Sequence, residues 1–211
     1  MKKALYILSF LLSGNFFFAQ KNKIAFYGGM EWQPAIRQYQ PALHINARNY
    51  VSDHVSLGGT LSFTYENHSG NFGYLANRTR SNHTILNFLV QNDMINSDKF
   101  FFSTYFSAGG YFLSLINPDD KTTETSYSEV DGIWLESQNE VPRNLNRDLF
   151  FNLQGGVDFS LKLGSFRKEE VAVYLTTRAG YQFVFGNGDV ANGSQFTKPV
   201  ISIGVTVKGN K

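Results

Sequence analysis

Acyl hydrolysis by a serine needs a hydroxyl, an imidazole to take its proton and an acid to orient the imidazole. The 211-residue chain offers His44, His68 and His83, with Ser69 and Ser81 close by. A His-x-Ser pair also occurs in "DHVS" (53–56). No serine sits in a recognisable nucleophile motif, so polar histidines without catalytic duty are the reading adopted. The same histidines have no metal-ligand spacing, and with no cysteine in the chain a thiolate site is excluded. A second set of reactive types is ionic. Glu31, Arg48, Asp158 and Arg178 interrupt otherwise apolar stretches, and they suit an ion-pair network whose role is structural. A third lies in "NPDDKTTETSYSEVDGIWLESQNEVP" (117–142), which carries seven of the 17 acidic residues against Lys121. It lacks the D-x-[DN]-x-[DN]-G order of a calcium loop. Trp134, flanked by Ile133 and Leu135, is an apolar contact point within it. No metal and no cofactor is expected.

These residues are carried by segments that alternate every second position, the period of a β-strand. "IAFYGGMEWQPAI" (24–36) sets Ile24, Phe26, Met30 and Trp32 against Tyr27, Glu31 and Gln33. "ALHINARNYV" (42–51) sets Leu43, Ile45 and Ala47 against His44, Asn46 and Arg48. "VSLGGTLSFTYE" (55–66), "TILNFLVQN" (84–92) and "KFFFSTYFSAGGYFLSL" (99–115) follow. "LFFNLQGGVDFSLKLG" (149–164), "VAVYLTTRAGYQFVF" (171–185) and "VISIGVTVK" (200–208) complete eight strands. Short connections at 52–54, 94–98 and 165–170 alternate with longer polar ones at 67–83, 117–148 and 186–198. The remaining connection, around 37–40, is short. In an up-and-down sheet this puts the short turns at one end and the long loops at the other.

Alternation leaves open which face is inside. A soluble lipocalin-like carrier would turn the apolar face inward; a membrane barrel turns it to lipid. The polar face carries small residues (Gly58, Ser62, Ser107, Gly109, Gly156, Ser160, Gly180, Ser202, Gly204) and isolated charges of both signs. Small side chains suit a narrow packed lumen, and enclosed charges must pair. Strands of about 9–11 residues match the hydrocarbon layer. The expected fold is therefore all-β: a closed, antiparallel, up-and-down transmembrane β-barrel of eight strands, filling residues 20–211. Residues 1–19 form a secretory signal peptide: Lys2 and Lys3, an apolar run over 4–12, and Ala19 before the cut. Once Lys2 and Lys3 are gone, 17 basic and 17 acidic residues remain. That balance gives no footprint for nucleic acid.

The phrases "VSLGGTLSFTY", "YFSAGGYFLSL", "NLQGGVDFSLKLG", "TTRAGYQFVFG" and "ISIGVTVK", behind a signal peptide, resemble small eight-stranded outer-membrane barrels. The PorT-like outer-membrane barrel domain is the nearest resemblance, OmpA and OmpX barrels more distant ones. The chain departs from such barrels by ending "VTVKGNK" instead of on an aromatic residue. The resemblance implies the outer membrane of a Gram-negative cell, periplasmic termini and long loops outside. It implies outer-membrane lipid and lipopolysaccharide as neighbours, a monomeric state, and an envelope protein as a possible partner. A non-enzymatic structural or interaction role through loops or turns is the expectation. The alternatives are a secretion-associated or binding component, a lipid A-modifying enzyme, a soluble carrier, and a narrow channel gated by exchange of salt-bridge partners.

Overall fold

The computed structural model describes residues 23–130, 133–166 and 170–209. Side chains of residues 126, 128–130, 133–135 and 137 also lie outside the description. Eight strands follow in order: β1 Ile24–Pro34, β2 Tyr39–Tyr50, β3 Val55–His68, β4 Thr79–Asn96, β5 Phe100–Val130, β6 Ile133–Phe166, β7 Val171–Phe185 and β8 Pro199–Gly209. Each pairs antiparallel with its neighbours, and β8 closes on β1 through pairs such as Gly29–Gly204, giving a closed ring in sequence order. Closure gives every strand of the ring a partner on each side, as a lipid-embedded sheet requires.

The ring settles the two faces. Phe26, Met30, Trp32, Leu43, Phe63, Phe88, Phe106, Phe159, Phe183 and Ile203 are exposed on its outside. Tyr27, Glu31, His44, Arg48, Ser62, Asp158 and Arg178 are buried on its inside. The polarity is inverted relative to a soluble protein, and the fold is the transmembrane barrel that the alternation implies. No helix among the described residues is long and apolar enough to cross a membrane; the strands do the crossing.

Interior space is scarce, and glycine makes room for the ring of Tyr105. A Cβ on Gly180 would stand 2.2 Å from the Tyr105 hydroxyl, and one on Gly156 would stand 2.9 Å from it. The Gly156–Gly180 pair is thus the slot into which Tyr105 fits. Among the described residues, two apolar clusters lie toward the ends of the lumen. Phe101, Ala172 and Tyr174 cluster at the short-turn end. At the long-loop end Ile85, Tyr111, Leu113, Phe150, Val184 and Ala191 surround Phe196.

The structure corrects the reading of 117–148 as a loop. Those residues continue β5 and β6 as a ribbon paired from Asn117–Arg143 to Val130–Ile133. A register break lies between Asn117 and Lys121, where Pro118 has no N–H for the ladder. Similarly β4 starts at Thr79, shortening the connection after β3 to residues 69–78. The 186–198 connection does not hang in solvent either. It contains a 3-10 turn, Gly193–Phe196, that turns Phe196 into the lumen.

Candidate functional site

The interior charges occupy separate heights. At mid-barrel, Asp158 and Arg178 face each other on paired positions of β6 and β7. Arg178 donates from Nε to Asp158 Oδ1 at 2.7 Å and from Nη2 to Oδ2 at 2.6 Å. This fork-to-fork contact is among the stronger hydrogen-bonded ion pairs. The guanidinium lies 4.1 Å from the Tyr105 ring centroid and 5.7 Å from that of Tyr27. Tyr27 in turn donates to Ser202 Oγ at 3.0 Å.

Glu31 joins this level through His44, whose Nδ1 lies 2.9 Å from Glu31 Oε2. The carboxylate only accepts, so Nδ1 carries the proton and donates. Ser62 donates to Glu31 Oε1 at 3.1 Å. His44 Nε2 lies 3.4 Å from Arg178 Nη1, a donor, and so is the bare nitrogen. Glu31, His44, Arg178 and Asp158 therefore form one chain across the lumen.

Arg48 stands apart. Its Nη1 donates to Asn46 Oδ1 at 2.9 Å; it makes no ion pair with Glu31 or Asp158. Height along the axis, which alternation does not encode, separates them. Nearer the short turns a second cluster forms around Asp93, which accepts from Tyr50 at 2.7 Å, Ser103 at 2.7 Å and Lys208 at 3.2 Å. Asp93 lies just past the 84–92 segment that alternates, so continuing the period by one turn would have found it.

The histidines separate as well. His44 belongs to the mid-barrel chain, and His54 sits in a short turn with Nδ1 3.1 Å from the Asp93 carbonyl. His68 and His83 converge on Ser81 at the long-loop end, with Nε2 to Oγ distances of 2.8 and 2.9 Å. His83 Nδ1 lies 2.7 Å from Tyr111 Oη, which donates to the Pro34 carbonyl at 3.3 Å. Because a carbonyl only accepts, the whole chain has one direction. His68 Nε2–H donates to Ser81, Ser81 to His83 Nε2, and His83 Nδ1–H to Tyr111. Ser69 is exposed in the following turn and takes no part.

That geometry is poorly made for acyl transfer. The imidazole that receives the Ser81 proton is oriented by a phenol, not a carboxylate. Glu66 stands beside the other histidine, with Oε2 3.8 Å from His68 Nε2. Ser81 and His83 are fully buried, facing the lumen and not the lipid, beneath Phe196, whose ring lies 5.8 Å from His83 and stacks on Tyr111 at 4.7 Å. Among the described residues no group of three or more His, Cys, Asp or Glu side chains is placed to hold a metal ion.

Above the wall, the ribbon is pinned at its root. Arg78 grips Asp119 with two hydrogen bonds, Lys121 pairs with Glu140 at 2.9 Å and Arg143 with Asp120 at 3.1 Å. Trp134 is paired with Glu129 near the ribbon's tip; its expected contact role concerns a side chain outside the described residues.

No family model matches the chain, and none of the curated proteins matches it significantly. Solved outer-membrane structures do. The attachment invasion locus protein Ail of Yersinia pestis, in complex with the heparin analogue sucrose octasulfate, is 8% identical over 88% of this chain and 95% of its own, with a TM-score of 0.39. The N-terminal β-barrel domain of Pseudomonas aeruginosa OprF is 13% identical over 89% and 97%, with a TM-score of 0.39. Neisserial surface protein A is 9% identical over 90% and 95%, with a TM-score of 0.40.

Proposed function

We propose that this chain is a non-enzymatic integral protein of the bacterial outer membrane. In this reading residues 1–19 are removed on export, the termini and short turns face the periplasm, and the long connections face outward. The observation that carries it is the inverted polarity of a closed ring: an apolar outside around a polar lumen with aromatic clusters toward both ends. Lipid and lipopolysaccharide surround such a wall, and the protein works as a monomer with a structural or interaction role.

The interaction element is the β5–β6 ribbon. Above their roots, Lys121–Val130 and Ile133–Pro142 pair, among the described residues, only with each other. Both outer edges are open to strand addition, a common mode of protein recognition. A secretion-associated, PorT-like role would use this ribbon or the periplasmic turns.

Fractionation with unboiled gel electrophoresis tests the reading. Recovery in the outer membrane with a mobility that shifts on boiling is expected; recovery in the soluble periplasm refutes it. External protease on intact cells should cut within 117–147 and spare the barrel. Lipid A from a deletion strain should be unchanged in mass; a changed acylation pattern refutes the non-enzymatic role.

A further inference from the structure

The barrel wall has a notch. Pairing between β2 and β3 stops at Leu43–Phe63, yet β2 continues against β1 to Pro34–Tyr39 and β3 continues against β4 to His68–Thr79. Above Leu43 the two strands part, and Pro41 has no N–H to offer across the gap. Two side-chain bonds replace the ladder. Thr64 Oγ donates to the Pro41 carbonyl at 2.8 Å, and the Arg37 backbone N–H donates to Glu66 Oε2 at 3.2 Å.

A cavity of about 530 Å³ opens there, lined by Met30, Leu43, Phe63 and Tyr65 and, on its polar side, Gln40, Asn67 and the buried Glu66. The four apolar residues belong to the exposed outer belt. Trp32, paired with Pro41, and Tyr39 are exposed at the same height, where aromatic residues mark a membrane–water boundary.

Charge at the polar side is unbalanced. Arg80 lies 5.0 Å over the Tyr65 ring and donates from Nε to Asn67 Oδ1 at 2.9 Å. Its two terminal amino groups meet no carboxylate among the described residues. Arg37 is exposed on the adjacent turn, whereas Arg78 is already neutralised by Asp119. The Glu66 carboxylate is turned to the Arg37 N–H, so an apolar trough below the Arg80 guanidinium, which no described carboxylate pairs, is complementary to an anionic amphiphile.

Resting on the outer-membrane reading above, we propose that the β2–β3 notch is a binding site for a phosphate-bearing lipid of the outer leaflet. One acyl chain lies against Met30, Leu43, Phe63 and Tyr65, and the phosphate sits beside Arg80 and Arg37.

The test uses the full chain refolded into phosphatidylcholine vesicles with a little lysophosphatidylglycerol bearing a diazirine at its acyl terminus. After illumination, peptides spanning 39–43 and 63–67 should be labelled about tenfold over 157–161 and 173–177 on the opposite wall. Gln40→Trp should fill the recess and bring labelling down to the level of the opposite wall. Thr64→Val removes a clip and should raise it. Arg80→Gln should erase the preference over a monoacylglycerol of the same chain. Even labelling around the belt, or a Gln40→Trp variant labelled like the parent, overturns the site. A chain with no boiling-dependent mobility shift and no label anywhere refutes instead the membrane reading on which it rests.

Discussion

Replacing Arg178 with methionine isolates the largest electrostatic commitment in the lumen. Asp158 and Arg178 are each about 1% exposed, with nitrogen–oxygen distances of 2.7 and 2.6 Å. At an effective dielectric of about 20 the gross attraction at that separation is roughly 6 kcal/mol. Much of it offsets the desolvation of two ions. What a single substitution reveals is the cost of a buried carboxylate left alone, about 3–5 kcal/mol. Arg178→Met should therefore lower unfolding stability by that amount, and Asp158→Leu by a similar one through the orphaned guanidinium. The double variant should recover most of the loss, because neither charge remains to be stranded. Urea titration in phospholipid vesicles, followed by tryptophan fluorescence and by unboiled mobility, gives all four corners of the cycle. A single-variant cost below about 1 kcal/mol, as for an exposed pair, or two losses that simply add in the double variant, would refute the reasoning.

Phe196→Ala should cost about 3 kcal/mol, since the ring is fully buried against Tyr111 and Phe150; limited proteolysis should then cut within 186–198, which the parent resists. Gly180→Val drives side-chain carbon into the Tyr105 hydroxyl, and it should leave no boiling-dependent mobility shift in refolding trials. Excising 119–142 should leave the barrel folded, because β5 and β6 keep their neighbours through Ile116 and Phe151; loss of that mobility shift would make the ribbon part of the fold. At the ribbon's root, hydrogen bonds from Arg78 hold the Asp119 carboxyl below its ordinary range. The tie is therefore full above the ordinary carboxylate pKa and is lost as pH falls through the lowered one. The Arg78 Nε–H resonance should report a constant contact from pH 5 to 8 and release under strongly acid conditions; release already at pH 5–6 would show the sign to be wrong.

Much of the fold was legible because one physical rule governs it. A strand with period two assigns Tyr27, Glu31, His44, Arg48, Ser62, Asp158 and Arg178 to one face, and all are buried. Small residues on that face choose the inside. What alternation lacks is height. Glu31 and Arg48 share the lumen, yet strand tilt sets Glu31 beside His44 and Ser62 and Arg48 beside Asn46. The ribbon was illegible for another reason. Residues 119–129 are polar on both faces, so nothing alternates, and their strand character comes from pairing with 134–143. Phe196 is a lone aromatic in a polar connection; only the closed ring shows that it fills one mouth.

The polar lumen and the notch have a common cause. A chain that crosses an aqueous compartment before insertion cannot be apolar on both faces of every strand without exposing long aggregation-prone segments. The inside must then carry polar groups, and a narrow barrel must satisfy them with each other. Many are met by the clusters around Arg178, Asp93 and Ser81, although eleven buried side-chain atoms, Gln91 Nε2, Gln154 Nε2 and both amide atoms of Gln33 among them, have no protein partner among the described residues; a buried polar group left unpaired costs about 1–3 kcal/mol. An unpaired backbone edge in the wall would cost at least as much in lipid. Between β2 and β3 the gap is tolerable only because it lies at the aromatic boundary and is clipped by Thr64 and Glu66. Glu66 also stands 3.8 Å from His68, so the one carboxylate that bridges the seam touches the hydrogen-bonded chain leading to Phe196. Opening the seam and loosening the plug therefore draw on the same side chain.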